Sequence, residues 1–505
     1  MTPRPGSGQA ERLAFNAGGT RREVTSAYAV PESSPEAAPS AKPNHVTAAE
    51  PRDWAFIWTL VFTAVLFLRP QDVFPPLAAL HLAELSAIAG LVALFTGRLA
   101  RRQSLTRMTP EFAGVLALGA IILITAPFSI WFGGAVSLFT DQYLKVTLVY
   151  LLAVNVLTSP RRIERLTWLL VLAIGYIAFR AVLDYVRGVN LIARGTRVQG
   201  SVGGLVQNPN DLALHMVVFL PFALFSAMRP GFVVKRLVAA FAGFCMMGAI
   251  VASGSRGGFL GFAVMLLVMA VIAARQRPGF VIAGVLAVAC ALPLVPGQYW
   301  RRVASITDSS KDDYNSSTAR RQLIDEAFDA FVENPITGVG AGQFKDYKPE
   351  KRLEAWHETH NVWLQVAAEV GIFGFAVFAF LMARAVGGVW QVRRMLARVR
   401  AAAARARRRL PAARTSGVPE ISEDEGVLFD AHSAAMAASL AGFFVCSFFS
   451  SIAYGWTFYY LLALAVAPRD ILRARVPSLV RGAAGAAVTA VKRPAFGLRA
   501  RGAGA

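Results

Sequence analysis

His357 and His360 lie in the run Trp356-His357-Glu358-Thr359-His360-Asn361, which closes a long polar excursion from Gln298 to Asn361. A neutral imidazole accepts a proton near pH 7, so a histidine here could activate a hydroxyl. Arg320 stands in the same excursion and Arg197 and Arg256 in two other polar stretches, and a guanidinium fork matches phosphate oxygens in two-point contacts. Proton acceptor and guanidinium groups together suit a displacement that releases a phosphorylated leaving group. Taken singly, the same residues have plainer explanations. A histidine just before an apolar run can be a helix cap or an interfacial anchor, and an arginine in a short turn can reach for lipid headgroups. His-Glu-Thr-His is not the zinc-binding spacing His-Glu-x-x-His, so no metal is expected.

The elements that must carry these residues are membrane helices. Of the 505 residues 55% are hydrophobic and only 16% charged, against roughly 25% charged in a soluble domain. Apolar segments lie near residues 54–68, 77–96, 111–132, 143–158, 166–184, 211–228, 237–252, 259–274, 280–296, 361–383, 433–451 and 454–468. A crossing takes ~20 residues, so several of these are short and their ends are soft. The expected fold is therefore all-α and polytopic, with about 12 transmembrane helices and a large helical loop between helices 9 and 10.

The charge of +21 sorts by side. Arg98, Arg101, Arg102 and Arg107, then Arg161, Arg162 and Arg165, then Arg229, Lys235 and Arg236, fall in alternate loops with the arginines from Arg384 to Arg414. That bias places both termini in the cytoplasm and assigns the basic residues to topology and anionic lipid rather than nucleic acid. Arg187, Arg194, Arg197, Arg256, Arg301, Arg302, Arg320 and Arg321 lie on the opposite, outer side, where the rule gives them no purpose.

The domain plan is a disordered segment over 1–52, a transmembrane domain over 53–468 and a basic tail over 469–505. Within the domain, 297–360 is the outer loop and 385–432 a basic cytoplasmic loop. Ser316 and Ser317 precede an amphipathic pattern with Leu323, Ile324, Ala327, Phe328 and Phe331 as its stripe, ended by the turn Pro335 to Gly340. Asn210 or Asp211 suits a helix N-cap. The intramembrane carboxylate Glu369 calls for a partner, and Lys145, Arg180 and His215 are placed to line the same cavity. Cys245, Cys290 and Cys446 fall within apolar segments and read as buried thiols.

Ser253 to Gly258 (SGSRGG), Arg197 to Asp211 (RVQG through NPND), Arg320 followed by Pro335 to Phe344 (PITGVGAGQF), and His360 to Gly374 (HNVWLQVAAEVGIFG) together resemble the O-antigen ligase and O-antigen polymerase superfamily. The resemblance runs from about Leu68 to Pro468 and includes LRPQDVFP after the first crossing. It implies a metal-independent, cofactor-free, inverting transfer of a glycan from undecaprenyl diphosphate to an acceptor hydroxyl, at the periplasmic face of a bacterial inner membrane. It also implies His360 as the catalytic histidine, Arg256 as catalytic and diphosphate-binding, and Arg197 and Arg320 as further diphosphate ligands. Glu369, His357 and Asn361 are secondary candidates. Acceptors would be another glycan, a lipid A core or a protein. The competing class is a flippase of lipid-linked glycan, which predicts mid-membrane polar breaks and internal symmetry that this sequence lacks.

Overall fold

The computed structural model describes residues 52–193, 195–201, 206–229, 231–274, 279, 297–304, 316–348, 358–409 and 421–476. The apolar segment 280–296, His357, Arg194, Cys290, residues 1–51 and the tail beyond Val476 lie outside them. The described chain is almost entirely helical, and its only sheet is the two-residue pair Leu191–Ile192 with Arg197–Val198. Among the described residues eight helices are long and apolar enough to cross a membrane, so this is an all-α polytopic membrane protein. Within the described residues, each apolar segment read from the sequence is helical over most of its length.

In chain order the helices are α1 (Trp54–Leu68), α2 (Leu82–Ala100), α3 (Pro110–Thr125), α4 (Leu144–Val156), α5 (Pro160–Arg187), α6 (Pro209–Met228), α7 (Val233–Ser253) and α8 (Arg256–Ala274). After them come α9 (Gly297–Ala304), α10 (Ser316–Glu333), α11 (Val362–Arg409), α12 (Glu423–Cys446) and α13 (Trp456–Arg475). Local sequence explains where they begin. α3, α5 and α6 each start with proline, which has no N–H to leave unpaired, behind the capping residues Thr109, Ser159 and Asn208. Because Pro209 fixes the first helical position, the cap of α6 is Asn208 and neither Asn210 nor Asp211. α12 opens on a capping box, with the Ser422 side chain and Glu425 bonded reciprocally.

α6 packs against α7 and α12, α8 against α12, and α11 between α3 and α13. Small residues permit the close approaches. A Cβ at Gly257 would lie 2.4 Å from Phe449, one at Gly258 would meet Ala213 at 2.5 Å, and one at Gly261 would meet the Cys446 sulfur at 2.2 Å. The glycines of SGSRGG thus serve helix packing, as small residues do in membrane interiors. Only Gly254, at φ 57, makes the turn.

One end of the bundle is fixed by buried charge. Glu111, fully buried in the first turn of α3, accepts from Arg469 of α13 at 2.7 Å and from Arg384 of α11 at 2.7 Å. Arg469 is itself 2% exposed and also reaches Asp470 at 2.8 Å. α13 therefore runs on as packed helix through Pro468. That proline has no N–H for the Leu464 carbonyl four residues earlier, and buried His432 donates its Nε2–H there instead, at 2.9 Å.

The opposite end is built on a break in α11. Gly371 sits at φ 67 and ψ −170, so the carbonyls of Ala368 and Glu369 turn out of the helix. Val339 and Gly340 donate to them at 2.8 and 3.0 Å, and the freed Ile372 N–H donates to Pro335 at 2.8 Å. The Pro335 to Phe344 motif is thereby laced to the helix that follows His360. The Val339 carbonyl continues outward to Ile130 at 2.9 Å. Against this lace α10 buries Leu323, Ala327 and Ala330, together with Val339, Phe344, Tyr347 and Ala368. The stripe read from sequence is corrected here: Ile324 and Phe328 are exposed, because the packed face is the narrow one bearing alanines that lets α10 approach the lace closely.

Two stability predictions follow. A Cβ at Gly371 would sit 2.2 Å from the Ile336 carbonyl oxygen in a backbone region costly to L residues, so Gly371→Ala should lower the melting temperature in detergent by the equivalent of roughly 1–3 kcal/mol. Arg469→Met leaves buried Glu111 with Arg384 as its remaining guanidinium partner and should cost ~3 kcal/mol, with much of that recovered in the Glu111→Leu, Arg469→Met double variant; thermal unfolding of the three proteins checks both the loss and the recovery.

Candidate functional site

At the laced end, the short connection from Ser447 to Gly455 joins α12 to α13 and meets both His360 and Arg320. Its Ser451 hydroxyl accepts from the His360 backbone N–H at 2.7 Å and lies 3.2 Å from the Thr359 hydroxyl. His360 has φ 49, an unusual conformation for a residue with a side chain, and it is half-buried. Asn361 follows as the cap of α11, its side-chain oxygen accepting from Trp363 at 3.0 Å and Leu364 at 3.2 Å. The histidine is thus the last residue before a capped helix, held by a serine from another connection. Asn361 has its duty in that cap.

The arginines gather around the same connection. Arg197, at the end of the small sheet, donates from Nε to the Ser253 carbonyl at 2.9 Å and from Nη2 to Asn210 at 3.0 Å. Asn210 also accepts from the Ser255 hydroxyl at 2.8 Å, which ties the start of α6 to the α7–α8 turn. Arg256 is the first residue of α8, half-buried, rather than the tip of a glycine loop. Gly257 then packs on Phe449, and the Arg320 guanidinium lies over that same ring, 5.6 Å from its centre. Arg197, Arg256 and Arg320 thus share the corner formed by α6, α8 and Phe449. Arg187 ends α5, where a cation complements the helix dipole.

Beside this corner opens a polar cavity of about 270 Å³, walled by Gln142, Asp211, His215, Lys345, Glu358, Gln365, Glu369, Ser451, Tyr454 and Trp456 among others. Glu369 is 3% exposed and accepts from the Gly342 backbone N–H at 2.9 Å. The partner that this carboxylate calls for is supplied by the lace as a backbone amide. His215 donates from Nδ1 to the Asp211 carbonyl at 2.7 Å, leaving Nε2 to accept from the Thr457 hydroxyl at 2.6 Å in the neutral ring. His215 lines this cavity as expected, but Lys145 and Arg180 do not: Lys145 faces a neighbouring cavity and Arg180 meets Tyr176 at 3.3 Å.

Among the described residues no group of three or more His, Cys, Asp or Glu is arranged to hold a metal ion. Cys245 and Cys446 are buried free thiols. His357 lies outside the described residues. The residues that the sequence reading missed are Ser451 and Phe449, whose connection was compressed between two adjoining apolar segments. The signal was present in Ser447, Ser450 and Ser451, a serine cluster where one long crossing would have none.

A comparison with curated proteins gives no match. Residues 241–379 match the family model described as O-Antigen ligase, a span holding Arg256, Arg320, His360, Asn361 and Glu369 but not Arg197. That match covers the segment that carries the break at Gly371 and the corner at Arg256, so this part of the chain is similar to O-antigen ligases.

Proposed function

We propose that the protein transfers a glycan from an undecaprenyl-diphosphate carrier to an acceptor hydroxyl at the periplasmic face of a bacterial inner membrane. The observation that carries this reading is the shared connection: Ser451 holds His360 while Phe449 underlies Arg320 and packs on Gly257, beside Arg256. Base and cations therefore converge on one short segment at one end of the bundle.

In the proposed reaction the acceptor hydroxyl gives its proton to the His360 imidazole while its oxygen bonds to the anomeric carbon. The bond from that carbon to the phosphate oxygen breaks, and the lipid diphosphate leaves with the electron pair. A single displacement inverts the anomeric centre. Arg197, Arg256 and Arg320 meet the charge that builds on the leaving diphosphate, as preorganised donors do in other transfers. Arg197 is already oriented by Asn210 and the Ser253 carbonyl, so little reorganisation is needed when the diphosphate arrives. Whether the acceptor is a lipid A core, a protein or a second carrier-linked repeat decides between ligase and polymerase activity. Deleting the gene separates these: loss of long chains with single repeats retained marks a polymerase, and finished chains accumulating on carrier mark a ligase.

With purified lipid-linked donor and inserted protein, His360→Ala and Arg256→Ala should each lower transfer by about 10²-fold or more. Full transfer by both variants would sink the assignment, and donor moving across liposomes with no new glycosidic bond would indicate a flippase. Ser451→Ala should lower kcat about tenfold with KM nearly unchanged, since it loosens the residue that presents the base and not the substrate contacts. Restoration by Ser451→Thr, measured as the same kcat and KM pair, would separate positioning from loss of fold.

A further inference from the structure

Next to the transfer cavity lies a second one of about 280 Å³, and Trp456 lines both. Its other walls come from α1, the connection Arg69 to His81, the start of α2, and Lys145 of α4. The connection contains LRPQDVFP, a motif that no role described so far uses. Arg69 and His81, both lining residues, have φ of 43 and 45, the left-handed region that is costly for residues with side chains. Strain of this kind persists where the surrounding structure insists on a side-chain direction, and it clusters at binding sites.

The chemistry of the walls is mixed in a particular way. Arg69 is held flat by Asp72 through two bonds of 2.8 and 3.3 Å, and His81 lies 3.2 Å from Glu84. Arg69 therefore carries its own counter-charge, and Arg69 and His81 both present planar polar groups alongside carboxylate acceptors. The Gln71 side-chain oxygen and the Trp456 indole nitrogen are buried and have no hydrogen-bond partner. Lys145 is half-buried and has neither an ion-pair nor a hydrogen-bond partner among the described residues. A site for a bare anion has little use for carboxylate walls or an indole. Vicinal hydroxyls need donors and acceptors together, a sugar ring offers apolar C–H faces to an aromatic, and the one unneutralised cation selects one negative charge.

We propose that this second cavity binds one sugar residue carrying a carboxylate or phosphate, as a saccharide subsite beside the transfer cavity. Its placement across Trp456 from the Glu369 cavity makes it the place of the acceptor glycan; that last step rests on the proposed transfer, whereas saccharide binding does not.

Binding is measured without donor, so the result is independent of whether transfer occurs. The full chain in phosphatidylcholine nanodiscs is titrated with a glucuronate-containing disaccharide, with glucose 6-phosphate, with the neutral disaccharide cellobiose and with inorganic phosphate, followed by tryptophan fluorescence and saturation-transfer NMR. An acidic sugar should bind at least tenfold more tightly than both cellobiose and inorganic phosphate. Lys145→Met should remove that preference, and Lys145→Arg should keep it, which excludes a folding defect. Whichever acidic sugar binds identifies carboxylate or phosphate as the charge. The proposal is overturned by equal binding of inorganic phosphate, by no acidic-sugar binding, by a preference that survives Lys145→Met, or by a preference that Lys145→Arg also loses. Loss of the preference when the discs contain phosphatidylglycerol would also overturn it, since the cation would then serve a lipid headgroup.

Discussion

The break at Gly371 is the constraint on which the active end depends. A continuous helix would keep the Ala368 and Glu369 carbonyls for its own ladder, and the Pro335 to Phe344 segment would have nowhere to dock. Opening the helix by one residue supplies acceptors for Val339 and Gly340 and a donor for Pro335, so buried backbone is paired on both sides. Irregular backbone at membrane depth is tolerated only where protein satisfies it, and here a loop and a helix satisfy each other. The same lace seats α10, which carries Arg320, and hands the Gly342 amide to Glu369.

The two ends of the bundle treat charge differently. At the Glu111 end, carboxylate and guanidinium groups are buried and mutually paired, which fixes α3, α11 and α13 in one register. At the laced end, Glu369 meets the Gly342 backbone amide and His215 the Thr457 hydroxyl, and both wall a cavity. The first arrangement consumes charge in structure. The second leaves polar groups arranged around space, where a substrate can meet them.

The helical class, the membrane crossings and the polar end were legible because each rests on local pattern: apolar length, proline and capping residues, the sidedness of arginine. Arg256, Arg320 and His360 stood out in the sequence through short motifs, and these lie within the stretch matched by the family model. What escaped was long-range. Nothing local reveals that Gly371 is a break rather than a packing glycine, since its partner Pro335 is fixed only by folding. Arg384 and Arg469 read as surface cations because sidedness describes loops, and their partner Glu111 lies hundreds of residues earlier in the chain. Ser451 and Phe449 were hidden because two apolar segments with a short join look like a boundary of no consequence.

α13 holds Trp456 at its first turn and Arg469 near its last, a helix of 20 residues or about 30 Å. With Arg469 locked to Glu111, this helix cannot slide along its axis without breaking the ionic anchor at its far end. Trp456, which lines both cavities, is therefore mounted on a fixed post, and the freedom left to it is rotation of its indole about its own side-chain bonds, a hinged leaf on a rigid frame.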